Sequence, residues 1–202
     1  MTHWIDDIET LERHYGTPGE AARIKVVRAL TPAYRAYIER ARFCVLTTVG
    51  PEGTDGSPRG DDGPAVRIAD ERTLLMPDWQ GNERIDSLRN IVRDGRASLM
   101  FLIRGSNNAI RTNGRARLSV DPALLEGFER SGRRPRSVIV FEIAELYSQC
   151  ARALIRSALW TGPDESEGLP SMGDILREIT EGGFDGASYD AAWPARAAKT
   201  MW

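Results

Sequence analysis

The chain has 202 residues, 41% hydrophobic and 28% charged, an ordinary globular make-up long enough to bury a core without staples. Its 27 basic and 29 acidic residues leave a net charge of −2. Nothing therefore draws the whole molecule to nucleic acid or to an anionic membrane, and any anion must be bound by a local arginine cluster.

Two cysteines, two histidines near the N-terminus and no apolar run approaching ~20 residues speak against a disulfide scaffold, a zinc site and a membrane span. The opening MTHWIDDIETLERHYG is acidic where a secretory leader is basic and then apolar, so a reduced cytoplasmic setting is expected. Apolar side chains at Ile5, Ile8, Leu11 and Tyr15 have helical spacing, predicting a helix over 5–15. A second helix is predicted from Pro32 to Arg42, with Thr31 as its cap and Pro32 at its first position. Arg42–Val49 switches to a β-branched and aromatic run, closed by a turn at Gly50-Pro51-Glu52-Gly53. The following TDGSPRGDDGP reads as a strand start interrupted by turns. Short strands are predicted at Ala65–Ala69 and Thr73–Pro77, with a tight turn at Asp70-Glu71.

Asp86–Arg93 is amphipathic, with Ile85, Leu88, Ile91 and Val92 on one side. Ala97–Ile103 and Ala109–Val120 read as strands, Pro122–Glu129 as a short helix, and Ser137–Tyr147 as the clearest core strand. Ala151–Ser157 is a short basic helix or turn, and the Gly- and Pro-rich tail beyond Gly162 carries a helix near Met172–Thr180. About six short strands, with helices mainly at the ends and in one crossover, argue against a parallel βαβ sheet and for a small barrel or sandwich. The class expected is mainly β with flanking helices (α+β), one domain over 1–202. It divides into N-terminal helices 1–41, a core 42–160 and a C-terminal extension 161–202. No repeat or linker splits it.

Three segments carry chemistry. Pro77–Asn90 leaves a strand, turns at Gly81 and enters a helix. Gly81 lets the backbone approach a ligand, the helix N-terminus favours an anion, and Arg84 can grip a phosphate bidentately, with Asn82 able to bond a polyol or ring edge. The same pattern serves equally as a loop with a solvated arginine. In Ile110–Arg117, a strand puts Arg111, Asn113 and Arg115 on one face and Thr112 and Ala116 on the other, and Gly114 marks a bulge or a close backbone approach. Such an arginine face is either a cofactor wall or, more commonly, the solvated side of a sheet. Ser57-Pro58-Arg59-Gly60-Asp61 is a polar arginine segment that also suits a surface turn.

Taken in order, SPRGD, PDWQGNERIDSLRNI, ASLMFLI, IRTNGRARLSVDP and SQCARALIRSALW resemble the FMN-binding family related to pyridoxamine 5′-phosphate oxidase. The likeness runs from about Arg42 to Trp160 and is greatest to the bacterial branch rather than to the authentic vitamin B6 oxidase. The resemblance implies a split β-barrel that dimerises with two FMN molecules at the subunit interface. By motif, Arg84 and Asn82 would hold the phosphate and ribityl chain, with Gly81 and Gln80 against the cofactor. Arg59 and Gly60 would lie near the isoalloxazine ring, Arg111 and Asn113 would line the same crevice, and Trp160 would approach the FMN of the other subunit. Relatives often carry Cys-x-Lys after the last strand. Here the sequence reads Cys150-Ala151-Arg152, and the resemblance implies that Arg152 would take the lysine's role of neutralising the phosphate, a planar fork in place of a point donor. Cys150 reads as a packed small hydrophobe.

The function expected on this basis is an FMN-dependent oxidoreductase acting on a small molecule, with NAD(P)H or oxygen as its partner. The alternatives are a flavin store or sensor without turnover, or a pocket adapted to deazaflavin F420 or haem. The ending DAAWPARAAKTMW lacks the arginine- and histidine-bearing site of the vitamin B6 oxidase, so that activity is not expected. The extension 161–202 is expected to cap the barrel or the crevice, with Trp193 and Trp202 as core or interface aromatics.

Overall fold

In the computed structural model, which describes residues 3–201, strand β1 (Phe43–Gly50) turns through Pro51-Glu52 directly into β2 (Gly53–Gly60). After β3 (Arg67–Ile68) and β4 (Thr73–Asp78), helix α4 (Asp86–Arg93) leads to β5 (Arg96–Leu102), β6 (Ala109–Ser119) and β7 (Ser137–Gln149). The seven strands form one antiparallel sheet in the order β2-β1-β5-β6-β7-β4-β3. The sheet curls around its core without closing, leaving β2 and β3 as free edges. This is the split-barrel α+β architecture expected.

Period-two alternation selects the core. Leu46, Leu99, Phe101, Ile110, Phe141, Ile143 and Leu146 are buried from four adjacent strands, each worth about 1.5–3 kcal/mol on transfer from water. The N-terminal side contributes α1 (Ile8–Tyr15), α2 (Glu20–Ile24) and α3 (Pro32–Arg40). Helix α3 is capped by the Thr31 hydroxyl, which accepts from the Tyr34 N–H at 3.3 Å, and it buries Ile38 in the barrel end. Helix α4 lays Ile91 and Leu88 against the same core.

Gly114 has both properties its position suggested. Asn113 pairs with Glu145 and Gly114 with Ile143, so Ala144 is the extra residue of a bulge in β7. The bulge shifts the alternation of β7 by one, which keeps Leu146 in the core along with Ile143. A Cβ on Gly114 would overlap the Glu142 carbonyl oxygen, so only glycine permits the crossing.

Four expectations are corrected. The stretch 53–60 is one continuous strand, because the two-residue turn after β1 fixes its register, and Pro58 is tolerated because β2 is an edge. The strand over Ala65–Ala69 shrinks to Arg67–Ile68. Helix α1 begins at Ile8, where Asp7 caps it by accepting from Thr10 N–H at 2.7 Å. Beyond α5 (Pro122–Gly127), α6 (Arg152–Arg156) and the expected α7 (Met172–Ile179), the extension holds two further helices, α8 (Gly186–Ala191) and α9 (Trp193–Thr200). Among the described residues no helix is long and apolar enough to cross a membrane.

Candidate functional site

Strand β2 carries Arg59 opposite Cys44 on the inward side of the sheet. There Arg59 Nη1 reaches Asp78, the last residue of β4, at 2.6 Å. The Arg59 Nε is buried and has no hydrogen-bond partner. The next residue of that loop, Trp79, donates its indole N–H to Asp61 at 3.3 Å, and Asp61 pairs with Arg130 at 2.5 Å. These contacts bridge the ends of β2 and β4. Between them opens a cavity of about 710 Å³, within the range of sites for small organic ligands.

The cavity brings together five of the residues singled out from sequence: Arg59, Gly60, Gln80, Gly81 and Asn82. A Cβ added at Gly81 would meet no protein atom within 4 Å, so the space over this backbone is open. Met76, Pro77 and Trp79 supply an apolar and aromatic wall, and Tyr189, Trp193, Arg196, Ala197, Thr200 and Met201 close the far side. The extension thus caps the crevice. Trp193 lines it at 55% exposure and is no core residue, while Trp202 lies outside the described residues.

Arg84 lies two residues past Asn82, in a separate groove of about 370 Å³ between the start of β2 and α4. Its guanidinium is tied to Asp86 and is 79% exposed. Arg93 pairs with Glu52 at 3.2 Å, Arg89 stands 3.9 Å from Asp86, and the Ser87 hydroxyl donates to Asp55. Each guanidinium in the groove therefore already faces a carboxylate. The helix entry is strained, with Glu83 at φ 61° and Ile85 at φ 51°, left-handed conformations that a β-branched side chain rarely adopts.

The remaining sequence candidates stand elsewhere in the protomer. Arg111 and Asn113 are on the outer face of the sheet, in the cross-strand rows Val45–Met100–Arg111–Tyr147 and Thr47–Ser98–Asn113–Glu145. Arg111 lies over the Tyr147 ring at 5.6 Å, and Asn113 donates to Glu145 at 2.8 Å. Arg152 opens the short helix α6, and the Trp160 indole N–H donates to the Ser106 carbonyl at 2.8 Å. Burial pushes the Cys44 thiol up to about 12, which keeps it protonated and no nucleophile. Sequence reasoning missed Asp78, Trp79, Asp61, Tyr189 and Arg196. Arg196 was findable in principle: Pro194 in a first turn followed by an alanine-rich run is a helix signal.

Residues 30–150 match the model of the pyridoxamine 5′-phosphate oxidase family, more than half of the chain. The chain belongs to that family. Solved structures similar to it include HupZ of Group A Streptococcus, at 18% identity, covering 59% of this chain and 93% of that one with a TM-score of 0.48. An FMN-binding protein from Syntrophomonas wolfei is 13% identical, covering 70% of this chain and 96% of that one with a TM-score of 0.41. An F420 reductase is 14% identical, covering 58% and 98% with a TM-score of 0.44. Among curated proteins none matches the chain at a significant level.

Proposed function

We propose that this member of the family is an FMN-binding oxidoreductase that acts on a small organic molecule as a homodimer. The observation that carries the reading is the unpartnered Arg59 Nε–H in a ligand-sized cavity beside an open glycine backbone. A buried donor without an acceptor costs about 1–3 kcal/mol, and a carbonyl or ring nitrogen of a flavin would satisfy it. Gln80 and Asn82 add amide donors, and Trp79, Met76 and Pro77 offer the flat apolar wall that an isoalloxazine ring needs. FMN, when bound, supplies the hydride or electron transfer, so no catalytic triad is required of the chain.

The phosphate end fits with one exchange of partners. Thr54, in the groove, and Arg59, in the cavity, lie five residues apart on β2, about 17 Å along an extended strand. Residues 80–84 run from one hollow to the other. A ligand with its ring beside Arg59 would reach Arg84, Arg89 and Arg93 with its phosphate, taking over guanidinium groups now facing Asp86 and Glu52. Exposed pairs such as Arg84–Asp86 are weak, and a phosphate dianion is the better partner for a planar fork. Arg111, Asn113, Arg152 and Trp160 are assigned to the cofactor through the second subunit, whose copy would cover the outer sheet face.

The test is an absorbance spectrum of the purified protein, repeated after adding FMN and with Arg84→Ala. The expected result is the paired bands of bound oxidised flavin, with affinity about tenfold or more weaker in the variant. A colourless protein that ignores FMN overturns the reading and moves the search to deazaflavin and haem.

A further inference from the structure

Beyond the residues assigned to the flavin, the cavity carries one charge that the cofactor does not explain. Arg196 of α9 lines it, with its guanidinium carbon 4.3 Å from the centroid of the Tyr189 ring and 5.3 Å from that of Trp193. Its Nη2 is buried without a hydrogen-bond partner, and no carboxylate pairs with it among the described residues. The other charged residues of the lining are matched, Arg59 by Asp78 at 2.6 Å and Asp61 by Arg130 at 2.5 Å. The hollow is therefore left with one uncompensated positive charge, held on an aromatic stack.

That charge is held in place. Asp190 of α8 accepts from the Ser171 hydroxyl at 2.5 Å and from the Gly173 N–H at 3.0 Å. Helices α7 and α8 touch backbone to backbone, because a Cβ on either Gly173 or Gly186 would overlap the other helix. Arg133 Nη1 donates to the Lys199 carbonyl of α9 at 2.7 Å. The ring stack and these ties pre-orient the guanidinium, and a donor fixed before binding loses little entropy when a ligand arrives.

We propose that Arg196 is a substrate-recognition residue that binds the carboxylate of a small, planar, unsaturated organic anion in the part of the cavity covered by α9. This rests on the reading that the Arg59–Asn82 side takes the flavin ring. Three observations choose this class. An oxidised flavin ring is neutral and asks for donors, which Arg59, Gln80 and Asn82 supply, whereas a guanidinium with no carboxylate asks for an anion. One unmatched guanidinium balances one charge, so a carboxylate fits where a phosphate dianion would add negative charge beside Asp61. Trp193, Tyr189 and Met201 wall the part of the cavity beside Arg196, which suits a flat conjugated body. Arg196 also lies outside residues 30–150 that match the family model, in the part of the chain where a substrate preference can differ while the shared cofactor site stays the same.

The experiment is calorimetric titration of the purified, FMN-saturated protein with benzoate and with benzamide, in the wild type, Arg196→Gln and Arg196→Lys, alongside FMN titration of each. The wild type is expected to bind benzoate at least about tenfold more tightly than the isosteric amide. Arg196→Gln should lose about ten- to hundredfold in benzoate affinity with FMN affinity unchanged within about twofold, and Arg196→Lys should fall between. The wild-type comparison of acid and amide needs no variant to fold. Equal binding of the two, or a variant that loses FMN while keeping its preference for benzoate, overturns the proposal. A protein that ignores FMN yet selects benzoate through Arg196 upholds the proposal and overturns the cofactor reading alone.

Discussion

Gly114 joins sequence to fold at the scale of one residue. A strand glycine is costly in entropy and contributes no packing, so its presence in β6 needs a reason, and the Glu142 carbonyl lying where a Cβ would stand is that reason. Gly114→Ala is expected to destabilise the protein by about 2–3 kcal/mol in urea unfolding, since the backbone crossing at the bulge must open to admit a methyl group. A loss below about 0.5 kcal/mol would mean that β7 shifts freely at Ala144 and that the bulge is not pinned. Arg84 and Arg196 make the complementary point. Both are arginines at the edge of a hollow, and only their surroundings separate them: one faces Asp86 in solvent, the other has aromatic rings and an unsatisfied donor.

Among the elements, the turn from α4 into β5 bears most on the site, because it sets where the helix beside the groove ends. Asp94 accepts from the Arg96 backbone N–H at 3.0 Å and from its guanidinium at 2.7 and 2.8 Å, and Gly95 takes φ 82° between them. The side-chain bond from Arg96, then its backbone N–H, hold the Asp94 carboxyl down at about 2 from the usual 3.8. A carboxyl whose folded pKa is depressed stabilises the fold above its unfolded value and loses that contribution as pH falls through the folded one. Asp94→Asn is therefore expected to flatten the decline of melting temperature between about pH 4 and pH 2, and to melt below the wild type at pH 7. Identical acid limbs in the two proteins would show that the turn is held by the backbone alone.

For the whole molecule, surface area is the telling quantity. The chain exposes 14027 Å², whereas a compact monomer of 22.4 kDa exposes about 9,400 Å². The excess, about 4,600 Å², is several times the roughly 800 Å² that each partner buries in a standard interface. Its sources are visible. Helix α1 buries none of its residues, leaving Ile8 and Tyr15 in solvent as Trp4 before it is, and the outer sheet face presents Phe43 and Met100 at 40% and 36% exposure beside Val45 and Leu102. A second copy on this face would cover that row and bring Arg111 and Asn113 to the cofactor. Light scattering is expected to give the mass of a dimer, and Met100→Glu is expected to shift it toward monomer with FMN binding weakened at least about tenfold. A wild-type monomer that retains FMN would remove the second subunit from the site.

The elements were legible wherever local chemistry decides them. The Thr31–Pro32 start of α3, the turn at Gly50–Gly53, α4 over Asp86–Arg93 and the core strand β7 follow from capping, turn and hydrophobic-pattern rules that act within a few residues. The shared cavity of Arg59, Gly60, Gln80, Gly81 and Asn82 was suggested only by the resemblance of their motifs to a family, since β2 and β4 are not adjacent in the sheet. The sequence by itself determined the class of the fold and most of its elements. Only the tertiary structure decided that 53–60 runs unbroken along a free edge, that Arg59 meets Asp78, and that α9 brings Arg196 across to the same hollow. Charge pairing and cavity walls join residues far apart in the chain, and no local pattern encodes which distant partner a guanidinium will find.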